Sequence, residues 1–272
     1  MLGNTNEVSP RRPIFAVLLS VLAPGLGHVY AGSLKKGLLL SVFAFVALLN
    51  AGMMFDLSTF YATVLLRLGL VGFYLYVFIS VFLLARKNKA YTLKKFNRWY
   101  IYLAMFVVLA SLANVFVAHA NSILGTTTFR IVSNSMAPTV QQGDFISVDT
   151  RYSVPVVGDV VVFVYPKDRS KDYVFRIAAI GGDTISIKDG IVTLNGQAES
   201  ALNVAISRRQ SKPSVSMDRL AIPEDEIFVL GDWRDNSNDS RYWGTVPVGD
   251  IVGKVRSIWF SKTRDRIGTE VE

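Results

Sequence analysis

Three apolar stretches, residues 37–55, 64–85 and 100–118, dominate the first 120 residues of this 272-residue chain. Each is close to the roughly 20 residues that a helix needs to cross the hydrocarbon core of a bilayer. Lipid offers no partner to backbone N–H and C=O groups, so such stretches are expected as helices, whose bonds close within the segment. A fourth apolar stretch, residues 14–30, is interrupted by Pro24-Gly25-Leu26-Gly27. Helix breakers in mid-stretch predict a re-entrant or bent segment over about 14–34, not a straight span. Residues 14–23 also have the size of a signal-peptide core, but three further spans follow and no small-x-small site closes it, which favours a retained hairpin.

Charge supports this layout. The formal net charge is +8, yet residues 1–120 carry 11 Lys+Arg against 2 Asp+Glu, and residues 121–272 carry 18 against 19. Ten of the positives of the first part, Arg11-Arg12, Lys35-Lys36 and the run Arg86, Lys87, Lys89, Lys94, Lys95, Arg98, border apolar stretches, and the eleventh, Arg67, lies inside 64–85 near its outer end, where an arginine snorkels to the interface. If 14–34 turns back, every basic cluster lies on one face, which the positive-inside rule makes cytoplasmic. The third span then carries the chain outward, giving a membrane region over 1–119 and an outer domain over 120–272. The same distribution argues against nucleic acid as a partner and for the lipid bilayer.

The outer part changes pattern. Short runs rich in Val, Ile and Phe at 145–148, 160–164, 173–180, 184–187, 191–194, 227–230 and 251–260 read as strands. An Asp-Gly pair at 189–190 between two of them signals a hairpin. The fold class expected is therefore an N-terminal α-helical transmembrane region plus a C-terminal mostly-β domain, with a polar surface insertion over about 198–225 carrying Arg208, Arg209, Lys212 and Pro213.

The chain has no cysteine, and its two histidines, His28 and His119, both precede residue 120. Chemistry in the outer domain must run on Ser, Thr, Lys, Asp, Glu or Tyr. No metal or cofactor is expected: the carboxylates at 232, 235 and 239 are interleaved with Arg234 and Arg241, the pattern of an ion-pair network. Ser133 and Ser135, two apart in an extended entry segment, can face the same way, one attacking a carbonyl and the other donating to an oxyanion. Taken alone, Ser-x-Ser is usually only a turn. The segment 231–244, Gly-Asp-Trp-Arg-Asp-Asn-Ser-Asn-Asp-Ser-Arg-Tyr-Trp-Gly, adds a dense alternation of small, acidic and basic residues in which Asp239 and Arg241 can pair.

Four blocks carry a family resemblance: Ser-Asn-Ser-Met-Ala-Pro-Thr at 133–139, Gly-Asp-Val-Val-Val-Phe at 158–163, Arg-Ile-Ala-Ala-Ile-Gly-Gly-Asp at 176–183, and residues 231–241. In order and spacing, over about 125–260, they resemble bacterial signal peptidase I, membrane-anchored serine endopeptidases with a Ser/Lys dyad. The resemblance implies Ser135 as nucleophile, Ser133 as oxyanion-assisting serine, Ser237 as the serine that positions the base, and Asp239, Arg241 and Arg176 as supporting residues. It implies exported preproteins as partners and a bacterial cytoplasmic (inner) membrane location, with the C-terminal domain on the periplasmic or extracellular face.

One position departs from the family. The lysine that precedes the matching arginine is Phe175 here, and a phenyl ring accepts no proton. Lys171, four residues upstream on a strand, lies about 13 Å away at ~3.3 Å per residue; Lys254 is the least implausible substitute. Trp233 also stands where the family usually has Asn. The expected site is thus a cleft shared by Ser133, Ser135 and Ser237 whose proton-accepting corner holds an aromatic ring. The alternative function is an impaired homologue that binds preproteins, a partner peptidase or another secretion component. A third reading makes the outer domain a passenger on a membrane module marked by Pro-Gly-Leu-Gly-x-x-Tyr-x-Gly at 24–32.

Overall fold

A computed structural model of the chain describes residues 8–54, 57–88, 90–94, 96–202 and 210–271. Lys89 and Lys95 of the basic run, and Arg208 and Arg209 of the polar segment, fall outside the described residues. The chain forms two compact units, Met1–Phe55 with Thr63–Leu124, and Asp56–Ala62 with Gly125–Glu272.

The first unit contains β1 (Val8–Ser9), α1 (Pro13–Leu22), α2 (Leu26–Tyr30), α3 (Leu34–Met54), α4 (Phe60–Lys87), whose first turn groups with the second unit, β2 (Tyr91–Thr92), α5 (Trp99–Ala118) and α6 (Ala120–Leu124). The break expected at Pro24-Gly25 is present: α1 ends at Ala23 in extended backbone, and Gly25 takes φ +91°, a left-handed conformation that glycine adopts at little cost. A Cβ on Gly27 would lie 2.0 Å from the Ala16 carbonyl oxygen, so the close packing of α1 on α2 requires glycine there. At 10 residues α1 is too short to span; Leu34–Ala51, Phe60–Lys87 and Trp99–Ala118 are long and apolar enough to do so.

The second unit contains β3 (Thr126–Arg130), β4 (Phe145–Asp149), β5 (Val160–Val164), β6 (Asp172–Ile180), β7 (Thr184–Lys188), β8 (Ile191–Leu194), β9 (Gln197–Ala198), α7 (Lys212–Val215), β10 (Met217–Ala221), β11 (Glu226–Leu230), α8 (Ser240–Trp243), β12 (Val246–Pro247) and β13 (Ile251–Phe260). Its strands pair antiparallel in two sheets, a seven-stranded one ordered β12-β11-β6-β5-β13-β4-β3 and a four-stranded one ordered β10-β7-β8-β9. All seven expected strand runs are strands. The Val-Val-Val-Phe-Val run of β5 lies at the centre of the large sheet, where burial on both faces permits an unbroken apolar sequence. Asp189 and Gly190 both take positive φ in the β7–β8 turn, as an Asp-Gly hairpin requires.

The segment 198–225 differs from its expectation. It supplies β10, which pairs with β7, and it buries Leu202 and Ile222 in the core of the smaller sheet. Its strand escaped notice because Met-Asp-Arg-Leu-Ala is almost wholly exposed and has no apolar alternation.

One pairing detail positions the site. β11 pairs with β6 only from Arg176 to Ile180, whereas β5 pairs with β6 from Asp172 to Arg176. On its β11 side, the stretch 172–175 of β6 therefore has no strand partner among the described residues.

Candidate active site

The chain leaves β3 and forms a loop across the end of β6. Ile131 N–H donates to Asp144 O (2.8 Å) and Gly143 N–H to Ile131 O (2.9 Å), which fixes the start of the loop. Met136, 2% exposed, plugs it into the large core, while Ala137 N–H to Asn134 O (3.0 Å) and Val140 N–H to Met136 O (3.0 Å) close it into turns. These anchors leave Ser133 and Ser135 at the surface with their Oγ atoms 3.1 Å apart. They open onto a cavity of about 390 Å³ lined by Phe129 to Ser133, Ser135, Met136, Val162, Asp172 to Phe175, Asn236 and Asn238. The cavity thus runs along the unpaired stretch of β6.

The second predicted segment braces this loop from behind. Asp239, fully buried, accepts from Gly231 N–H (2.9 Å), Ser237 Oγ (2.8 Å) and the Arg241 guanidinium (2.8 and 2.9 Å). Arg241 also donates to Ser214 Oγ (2.8 Å) and Arg234 O (2.6 Å). Trp233 N–H donates to the Ser135 carbonyl (2.9 Å). A Cβ on Gly231 would lie 2.2 Å from Ser237 Oγ and 2.8 Å from Ser135 O, so this close approach of the two loops depends on glycine.

Arg176 points away from Phe175, as strand alternation requires, and holds Asp232 through Nε (2.9 Å) and Nη2 (2.8 Å) while Nη1 donates to Gly158 O (2.6 Å). Thr139 donates its hydroxyl proton to the same carboxylate, tying the far end of the serine loop to β6.

Two supports have no local sequence signal. Arg266 donates to Pro138 O (3.1 Å), Thr139 O (3.0 Å) and Asp144 Oδ2 (2.7 Å), and Ser261 Oγ to Asp144 Oδ1 (2.7 Å). Burial pushes the Asp144 carboxyl up, but the hydrogen bonds from Arg266, the Gln141 N–H and Ser261 outweigh it and hold it below the usual carboxylate range. Arg234, 2% exposed, donates to Gly231 O (2.7 Å) and Leu202 O (2.8 Å), and burial pulls it down to about 10. Arg266 sits 127 residues from the Thr139 carbonyl that it holds, and Arg234 ties its own loop, at Gly231, to Leu202, 32 residues upstream; spacing marks neither long contact.

The structure brings Ser133 and Ser135 together but sets Ser237 apart. Ser237 lies behind Gly231, 7% exposed, with its proton given to Asp239; its neighbours Asn236 and Asn238 line the cavity and it does not. The three hydroxyls do not share one cleft, because Asp239 draws the third inward. Phe175, 4% exposed, lines the cavity wall and packs with its ring centroid 6.2 Å from Phe163 and 6.0 Å from Tyr173. Lys254 gives its amine to Asp159 (2.6 Å) and Lys171 to Asp168 (2.6 Å), and neither lines the cavity. The titratable side chains on the lining are Arg130, Asp172 and Tyr173. No group of three or more His, Cys, Asp or Glu that could hold a metal occurs among the described residues.

The site is thus a paired hydroxyl opening onto a cavity beside an unpaired strand stretch of a β domain. The profile of the family described as "Signal peptidase, peptidase S26" matches residues 96–260. A "Probable signal peptidase I-1" of Synechocystis is 31% identical over 172 residues, covering 60% of this chain and 81% of that protein. The signal peptidase I of Pseudomonas aeruginosa is 33% identical over 185 residues, covering 49% of this chain and 64% of that protein. A solved signal peptidase I of Enterococcus faecalis is 28% identical, with a TM-score of 0.31 over 37% of this chain and 96% of that one. The chain belongs to the signal peptidase family S26, membrane-associated peptidases that act on preproteins bearing signal peptides.

Proposed function

We propose that this chain is a signal peptidase I-type endopeptidase, multi-pass in a bacterial cytoplasmic membrane, with residues 120–272 as its catalytic domain on the outer face. In this reading the segment around the cleavage site lies extended along residues 172–175 of β6, adding a strand whose backbone bonds supply affinity irrespective of side chains. Ser135 Oγ attacks the scissile carbonyl. The Ser133 hydroxyl and the Ser135 N–H stabilise the oxyanion. Asp239, Arg241, Asp232 and Arg176 act by holding the serine loop in place, without touching substrate. The observation that carries the reading is the 3.1 Å Ser133–Ser135 pair opening onto a cavity beside an unpaired strand stretch.

A second reading has one specific observation in its favour: no lysine or histidine is among the residues lining the cavity, and Phe175, which the sequence resemblance sets at the position of the family's lysine, is one of them. There the same groove binds an extended preprotein segment, or a partner peptidase, without cutting. Purified protein in liposomes, given a fluorescent peptide spanning a signal-peptide cleavage site, separates the two. Turnover that vanishes in Ser135→Ala supports the first. Saturable binding with no turnover supports the second.

A further inference from the structure

The Pro-Gly-Leu-Gly-x-x-Tyr-x-Gly motif has no part in the groove chemistry, but it builds a second polar site within the first unit. Arg11 is 7% exposed, and its Nε and Nη2 are buried with no hydrogen-bond partner among the described residues. Its guanidinium carbon lies 4.7 Å from the Tyr30 ring centroid and 5.0 Å from that of Tyr91. Both rings are held by the motif and its surroundings. Tyr30 accepts from the Arg12 N–H (3.3 Å) and meets Phe15 edge-on at 5.1 Å. Tyr91 lies against Gly32, where a Cβ would come within 2.4 Å of the ring, and its hydroxyl reaches Gly32 O at 3.4 Å. Asn88 completes the frame, accepting from Arg11 N–H (3.3 Å) and donating to Ala31 O (2.6 Å).

This frame sets two rings over the guanidinium and leaves Nε and Nη2 unused among the described residues. Burying a cation demands an acceptor. The Tyr102 hydroxyl takes a hydrogen bond from the Arg11 side chain but brings no charge, and residues 8–55 and 57–124 contain no Asp or Glu. α1 starts two residues on with no acid in its first turn and no side-chain cap, so its partial positive charge adds to the same preference for an anion. Adjacent Nε and Nη2 donors form a fork that fits two oxygens of one phosphate. Beside three helices of membrane-spanning length, the abundant anion is the phosphate of an acidic lipid headgroup.

We propose that Arg11, clamped between Tyr30 and Tyr91, is the receptor for the headgroup phosphate of an anionic phospholipid, bound bidentately through Nε and Nη2. The inference rests on the membrane reading of the first unit. Carbonate-resistant membrane association of the same preparation tests that reading separately.

The experiment uses the full-length protein in a neutral detergent with equimolar phosphatidylglycerol and phosphatidylcholine, retained lipid being counted by native mass spectrometry. Wild type should retain phosphatidylglycerol at least tenfold over phosphatidylcholine, Arg11→Gln should lose that preference, and Arg98→Gln, which removes a half-buried charge outside the cage, should keep it. Equal retention of the two lipids by wild type overturns the proposal whether or not Arg11→Gln folds. So does an equal loss in Arg98→Gln, which would mean diffuse attraction. A preference that emerges only in Glu7→Gln would make Glu7 the counter-ion, and displacement of the lipid by millimolar inorganic phosphate would assign the site to the free ion; either result overturns it.

Discussion

Replacing Phe175 with lysine tests the reading of the groove most directly. The ring is 4% exposed on the cavity wall between Phe163 and Tyr173. An amine placed there loses most of its hydration, so its charged form is disfavoured. A free lysine, with a pKa of about 10.4, is only about 0.4% neutral at pH 8. Burial lowers buried lysines by up to about 3–5 units; a fall of about 2.4 makes half of the amines neutral at pH 8, roughly a hundredfold gain in base. A positioned general base contributes about 10² to 10⁴ in rate. Phe175→Lys should therefore cleave the signal-peptide substrate about 10² to 10⁴ times faster than the natural sequence. Its rate should rise with pH through the lysine's lowered pKa and then level off. Losing the aromatic contacts costs about 2–4 kcal/mol, below the about 3–5 kcal/mol of a full truncation because the lysine stem keeps part of the packing. The assay is cleavage of the labelled peptide in liposomes between pH 6 and 10, with Phe175→Lys/Ser135→Ala as the blank. A variant that keeps the natural melting curve yet gains less than tenfold would refute the reasoning, as would a natural sequence that already cleaves within tenfold of the variant.

Asp239→Ala leaves the buried Arg241 guanidinium, the Gly231 N–H and the Ser237 hydroxyl without their shared acceptor, and should cost about 3–5 kcal/mol in a thermal melt of the β domain; a loss below about 1 kcal/mol would mean that water replaces the carboxylate there. Gly231→Ala drives a methyl into Ser237 Oγ and the Ser135 carbonyl, so it should destabilise by about 1–3 kcal/mol and weaken substrate-peptide binding, and unchanged binding would detach the serine loop from β11. Asp144 has a folded pKa below its unfolded one, so the stability it contributes is present above the unfolded value and is lost as pH falls through the folded one. Arg266→Gln leaves burial less opposed and should move the onset of acid unfolding to higher pH; an acid limb identical to that of the natural sequence would contradict the linkage.

Local pattern made much of this molecule legible. The three long apolar helices announce themselves as unbroken apolar runs close to the length that a bilayer demands, and β5 because a central strand is apolar on both faces. The bend at Pro24-Gly25 and the turn at Asp189-Gly190 were legible because the backbone there takes conformations that few residues tolerate. Ser133 and Ser135 were legible as a pair from their spacing of two, although a turn closed by Ala137 N–H on Asn134 O holds Ser135 there and not the extended chain that the spacing suggested. β3 and β10 were not, since edge strands with mixed exposure carry no clean alternation.

Tertiary structure decided the rest, because it turns on which side chains meet across long separations. Arg266 reaches back 127 residues to the Thr139 carbonyl, and nothing near either residue marks the contact. Ser237 proved to be engaged by Asp239 behind the cavity, where the same carboxylate also takes the Gly231 N–H and the Arg241 guanidinium. Arg11 looked like one more topology charge; only the folded chain placed it between two tyrosines, out of reach of any carboxylate among the described residues of its unit. Periodicity and composition report the solvent that each segment faces, whereas burial and unmet hydrogen bonds exist only once distant segments have packed.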